Sequence, residues 1–167
     1  MPIAEALAVA LGDALRKHRL HVATAESCTG GLIAGAITSV AGSSEWFERG
    51  FVTYSNEAKH EMLGVPQALI EAHGAVSEAV AHAMAEGALA RSRADCALSV
   101  TGVAGPGGGT PAKPVGMVCF GWALRGGPIV MVETRQFGGD RNEVRVASVE
   151  VALGRLIALV EGREASA

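Results

Sequence analysis

Ile3, Leu7, Leu11 and Leu15 recur four residues apart, which places them on one face of a helix. Pro2 suits the first turn of that helix, and the pattern lapses near His18. Residues 20–26 are strand-like, and Gly30 to Thr38 reads as a helix closed by Ala41-Gly42-Ser43-Ser44. Arg49 to Tyr54 reads as a second strand. Ser55 or Asn56 can cap a short helix that has Glu57 in its first turn and ends at Gly64. Pro66 can start another helical turn, and Ser77 caps a longer helix from Glu78 to Arg91.

Ala94 to Thr101 is an apolar run of strand length, the pattern of a strand covered on both faces. Residues 102–114 hold five glycines and three prolines, so they form a loop. Val115 to Leu124 and Ile129 to Phe137 read as strands joined by the hairpin signal Arg125-Gly126-Gly127-Pro128. Asp140 caps a last helix in which Val146, Val149, Leu153, Leu156 and Val160 form one apolar stripe, and residues 161–167 are expected to fray. Helices and strands interleave early and a hairpin comes late. That order predicts an α/β fold, a three-layer α/β/α domain with a mixed sheet, spanning residues 1–167.

Composition narrows the function classes. Hydrophobic residues are 49% of the 167, enough for a substantial core in one domain. The net charge of −3 and an aromatic share of 4% argue against nucleic acid as a partner, since that needs a basic face or stacking rings. Cys28, Cys96 and Cys119 lie apart in apolar runs without metal-ligand spacing, which reads as reduced thiols of a cytosolic protein. The histidines at 18, 21, 60, 73 and 82 show no metal pattern, and no metal or other cofactor is expected. No apolar run reaches membrane-spanning length, and the first residues lack a basic leader followed by an apolar stretch. The many small apolar residues are compatible with a homo-oligomer.

Four stretches can carry chemistry. Ser27 sits where a strand gives way to a helix, followed by Thr29, Gly30 and Gly31. Such a turn can hold an anion on free N–H groups, or a nucleophile beside an oxyanion hole, or the serine can simply cap the helix. Tyr54, the only tyrosine, ends the second expected strand, and Lys59 follows in the next helix. A desolvated lysine can serve a serine as base, with the tyrosine assisting; a lysine in that place can equally be a solvated helix-surface residue. His60 adjoins it.

The loop after Thr101, with Gly102, Gly105, Gly107 and Gly108, also lies at a strand's carboxyl end, and Lys113 within it can meet a phosphate or carboxylate. Arg141 and Arg145 stand four apart at a helix N-terminus, where cations oppose the dipole; an anionic ligand or the neighbouring Asp140 and Glu143 can compensate.

The series Ala25-Glu26-Ser27-Cys28-Thr29-Gly30-Gly31, Gly50 to Lys59, Gly74-Ala75-Val76-Ser77, Thr101 to Gly108, Lys113-Pro114-Val115-Gly116 and Gly139-Asp140-Arg141 resembles the CinA C-terminal domain family. Stand-alone members of that family include nicotinamide-nucleotide amidases. The resemblance implies an α/β/α fold and deamidation of nicotinamide mononucleotide to nicotinic acid mononucleotide with release of ammonia. It carries the nucleophile onto Ser27, the base onto Lys59, an auxiliary role onto Tyr54, and pocket roles onto Thr101 and Arg141. The larger N-terminal domain of two-domain members has no counterpart in these residues, so a pyrophosphatase activity tied to it is not carried over. On this reading the N–H groups near Gly30 and Gly31 hold the oxyanion, while Arg141, Lys113 or the glycine loop grips the 5′-phosphate. The rival is a non-catalytic nucleotide- or anion-binding regulatory module, which would use the same serine turn as a nest and need no lysine.

Overall fold

The computed structural model describes residues 2–127 and 130–162. Six helices and five strands follow one another as α1 (Pro2–His18), β1 (Val22–Glu26), α2 (Leu32–Thr38), β2 (Phe47–Val52), α3 (Asn56–Leu63), α4 (Gln67–His73), α5 (Glu78–Ala90), β3 (Cys96–Gly102), β4 (Met117–Leu124), β5 (Met131–Gln136) and α6 (Arg141–Val160). Pro128 and Ile129, expected to end the hairpin turn and open the last strand, lie outside the described residues, as do residues 163–167 of the expected tail.

The five strands make one sheet in the order β2-β1-β3-β4-β5. β1 runs parallel to both β2 and β3, whereas β3, β4 and β5 are antiparallel, so the sheet is mixed as expected. Alternation along the strands feeds two cores. Val22, Leu98, Val100 and Phe120 pack with α1, α2 and α6 on one face. Ala23, Ala25 and Ala97 pack with Leu63, Ile70, Val80 and Met84 on the other. Helices on both faces explain why β1 and β3 are buried along almost their whole length.

Local chemistry sets the helix ends. Ser55 and Ser77 accept the N–H of Ala58 and Val80 as N-caps of α3 and α5. Asp140 and Glu143 form a reciprocal capping box at α6. Two expectations shift. The second strand occupies Phe47–Val52 rather than 49–54, because its register opposite β1 pairs Glu26 with Val52. That frees Thr53 and Tyr54 to leave the sheet. On α6, Val146 is only half-buried, and Val144, Ala152 and Ile157 join Val149, Leu153, Leu156 and Val160 in the core.

The seat of α3 depends on a glycine in α5. A side chain on Gly87 would fall 2.0 Å from the Leu63 carbonyl, so the bare glycine lets α3 settle against α5 and the sheet. The face of α3 that carries Lys59 and Leu63 is thereby buried.

Candidate functional site

The carboxyl ends of the three parallel strands meet at one edge of the sheet, where open α/β folds collect their ligands. Glu26 ends β1, Thr53 and Tyr54 follow β2, and the glycine loop follows β3. Extended backbone sends adjacent side chains to opposite faces, so Glu26 and Ser27 diverge. The Ser27 N–H donates to the Val100 carbonyl at 2.9 Å, and the Thr53 N–H donates to the Glu26 carbonyl at 2.8 Å. These bonds hold the turn to both neighbouring strands.

Glu26 goes under α2. It is fully buried, and its carboxylate accepts from the Thr29 hydroxyl at 2.6 Å and from the N–H groups of Gly31, Ile33 and Ala34 at 3.2, 2.9 and 2.9 Å. A carboxylate there complements the helix dipole and satisfies the orphan donors of the first turn. Gly31 caps α2 with φ +105°, a left-handed conformation that glycine adopts freely. The Gly30 N–H donates to the Ser27 carbonyl at 3.0 Å. This corrects the expectation that Thr29, Gly30 and Gly31 present donors to a ligand: the Thr29 hydroxyl and the Gly30 and Gly31 N–H groups are bonded inside the turn, and none of the three residues lines the cleft above it.

Ser27 goes the other way, toward α3. Lys59 Nζ lies 2.9 Å from Ser27 Oγ, 3.0 Å from the Thr53 carbonyl oxygen and 3.2 Å from that of Tyr54. The Ser27 hydroxyl also reaches the Tyr54 carbonyl, at 3.4 Å. Lys59 is 1% exposed, which removes the alternative of a solvated surface lysine. Among the described residues it has no carboxylate partner. Desolvation pushes its pKa below the usual lysine range. Burial pushes the Cys28 thiol up to about 11, so beside Ser27 it stays protonated and weakly nucleophilic near neutral pH.

An open cleft of about 300 Å³ lies over this pair. Ser27, Cys28, Tyr54, Lys59, Thr101, Gly102, Gly105 and Arg141 are among the residues that line it. The Thr101 hydroxyl donates to the Ala75 carbonyl at 2.9 Å, tying the loop before α5 to β3. Arg141 Nη1 donates to the Gly105 carbonyl at 2.7 Å, and Nη2 donates to the Tyr54 hydroxyl at 3.1 Å. Tyr54 therefore meets the amine through its carbonyl and Arg141 through its phenol. Lys113 is not among the cleft residues; its amine donates to the His73 carbonyl at the end of α4. His60 turns to the Val65 carbonyl at 2.9 Å.

The second arginine of α6 has a different task. Arg145 Nε donates to the Cys28 carbonyl at 3.1 Å and Nη2 to the Thr29 carbonyl at 3.3 Å. Glu26 and Arg145 thus hold the Ser27 turn through its N–H and C=O groups respectively. The residue pattern had announced neither part. The traces were an acid closing an apolar strand, and an arginine one helical turn after Arg141. Asp140 and Glu143 are engaged in the capping box, and the two arginines find carbonyls instead.

Among the described residues no group of His, Cys, Asp and Glu could hold a metal ion, and no helix is long and apolar enough to cross a membrane.

Comparison with known proteins converges on one family. The family model described as the CinA C-terminal domain matches residues 4–160. The chain is 54% identical over 155 residues to the nicotinamide-nucleotide amidohydrolase PncC of Enterobacter agglomerans, covering 90% of this chain and 94% of that protein. It is 47% identical to a CinA-like protein of Chlorobium chlorochromatii, of which it spans only 37%. The crystal structure of the competence/damage inducible protein CihA from Agrobacterium tumefaciens superposes with a TM-score of 0.91 at 51% identity, over 94% of this chain and 95% of that one.

Proposed function

We propose that this chain, which belongs to the CinA C-terminal domain family, is an amidohydrolase that converts nicotinamide mononucleotide and water to nicotinic acid mononucleotide and ammonia. The stand-alone relatives of matching length that carry the amidohydrolase name support the reaction. The observation that carries the mechanism is the buried Lys59 amine 2.9 Å from Ser27 Oγ, with no carboxylate among the described residues to keep it charged.

A neutral amine has two N–H donors and one lone pair. The Thr53 and Tyr54 carbonyls occupy the two donors, which turns the lone pair toward the Ser27 hydroxyl. Lys59 Nζ accepts the hydroxyl proton while Oγ attacks the carboxamide carbon. The Cys28 N–H, next to the nucleophile, donates among the described residues to no acceptor of another residue, which leaves it for the developing oxyanion. The tetrahedral intermediate collapses, the C–N bond breaks, and the lysine proton leaves on ammonia. Water then attacks the acyl ester, Lys59 accepts its proton, and the C–Oγ bond breaks as that proton returns to Ser27. Each step uses only protein groups and water.

Arg141 keeps N–H donors beyond those given to Gly105 and Tyr54, and these grip the 5′-phosphate. Thr101, Gly102 and Gly105 line the same cleft. A purely anion-binding module would need the N–H groups at the start of α2, and Glu26 fills them. The test is ammonia release from nicotinamide mononucleotide by wild type, Ser27→Ala and Lys59→Ala. Activity that both substitutions leave untouched would reject the mechanism; no activity in wild type would reject the reaction.

A further inference from the structure

We infer that the exposed ring of Tyr54 is the platform on which the cationic pyridinium ring of the substrate stacks, and so sets the preference for a charged over a neutral ring. The inference rests on the amidohydrolase reading above. Tyr54 is anchored at both ends. Its carbonyl lies 3.2 Å from Lys59 Nζ and 3.4 Å from Ser27 Oγ, and its hydroxyl lies 3.1 Å from Arg141 Nη2. The ring therefore spans the interval between the reacting carboxamide and the phosphate, which is where the pyridine and ribose must lie.

Charge leads to the same residue. The pyridine nitrogen of the oxidised nucleotide carries a positive charge. Among the described residues lining the cleft none is acidic, and the two basic groups, Lys59 and Arg141, meet Tyr54 at its carbonyl and at its hydroxyl. A cation in that interval finds its compensation in the negative face of an aromatic ring. Among those same residues Tyr54 is the only aromatic one, and it is 60% exposed. Its hydrogen bonds run through the carbonyl and the phenol and use neither face of the ring.

The test separates ring from hydroxyl and charge from shape. Binding is measured by calorimetry in a Ser27→Ala background, which removes turnover, for nicotinamide mononucleotide and for its reduced dihydropyridine form. The two share carboxamide, ribose and phosphate but differ in ring charge. The background protein is expected to prefer the oxidised form by roughly five- to thirtyfold. Adding Tyr54→Phe keeps most of that ratio, because the ring remains. Adding Tyr54→Leu brings it to within about twofold of unity, and the exposed position leaves the thermal midpoint unchanged. A ratio that survives Tyr54→Leu, or that Tyr54→Phe abolishes, overturns the inference while ammonia release by wild type leaves the reaction standing. Failure of both nucleotides to bind any of these proteins overturns the inference together with the reading it rests on.

Discussion

Lys59 Nζ stands 2.9 Å from Ser27 Oγ, with backbone carbonyls on its other sides and, among the described residues, no carboxylate in reach. Groups that act as one unit are lost as one unit. Ser27→Ala and Lys59→Ala are each expected to lower kcat for ammonia release by at least about three orders of magnitude, and the double substitution to lower it little further. If the two losses multiplied, the residues would be working independently and the paired mechanism would be wrong.

Rate should follow the protonation of Lys59. Its lowered pKa means that the neutral amine forms at a pH below the usual lysine range. The kcat/KM profile is therefore expected to rise along a single lysine limb and level off before that range is reached. Lys59→Arg, which cannot lose its proton, should be inactive at every pH tested. A limb at the ordinary lysine value would contradict the desolvation.

The same shift has a stability signature. The folded state holds the Lys59 proton less tightly than the unfolded chain, so the cost of burying the charge is present in full at low pH. It is relieved as pH rises from the folded pKa to the unfolded one, and stability climbs across that window. Urea unfolding of wild type and Lys59→Met over this range should show a rise in the first and a flatter response in the second. Parallel curves would mean that Lys59 is not the group responsible.

Arg141 bridges the Gly105 carbonyl and the Tyr54 hydroxyl in the cleft. Arg141→Gln is expected to raise KM for nicotinamide mononucleotide by roughly tenfold to a hundredfold with a smaller change in kcat, the cost of one charged hydrogen-bonding group. The phosphate-free riboside should register little difference between the two proteins. Equal losses for both substrates would move the phosphate elsewhere.

Glu26 is the test of the turn itself. Glu26→Ala leaves the Thr29 hydroxyl and the N–H groups of Gly31, Ile33 and Ala34 without their common acceptor. A loss on the order of 3 kcal/mol in chemical denaturation is expected. A loss below about 1 kcal/mol would show that the carboxylate does not hold the turn.

How far the residues alone revealed this arrangement depends on what each one needed. The helix starts at Ser77 and Asp140, and the helix end at Gly64, were readable because caps are local chemistry. The buried strand after Ala94 was readable because both faces must be apolar. The burial of Lys59 was not readable: within α3 it looks like any helix lysine, and only the fit of α3 against Gly87 removes it from water. The turn after Ser27 was recognised as a rich source of N–H groups, but their owner was misassigned. Whether those donors face a ligand or a neighbouring carboxylate depends on which side of the sheet Glu26 takes, and that follows from the pairing of β1 with β2 and β3.

The carboxylate of Glu26 gives the Thr29 hydroxyl and the donors at the start of α2 their bonds before any ligand arrives. The entropy of arranging the nucleophile is then charged to folding and does not fall on each encounter with substrate. A cleft of this kind meets its ligand as a rigid template at the Ser27 turn, and whatever adapts must be the ligand or the glycine loop.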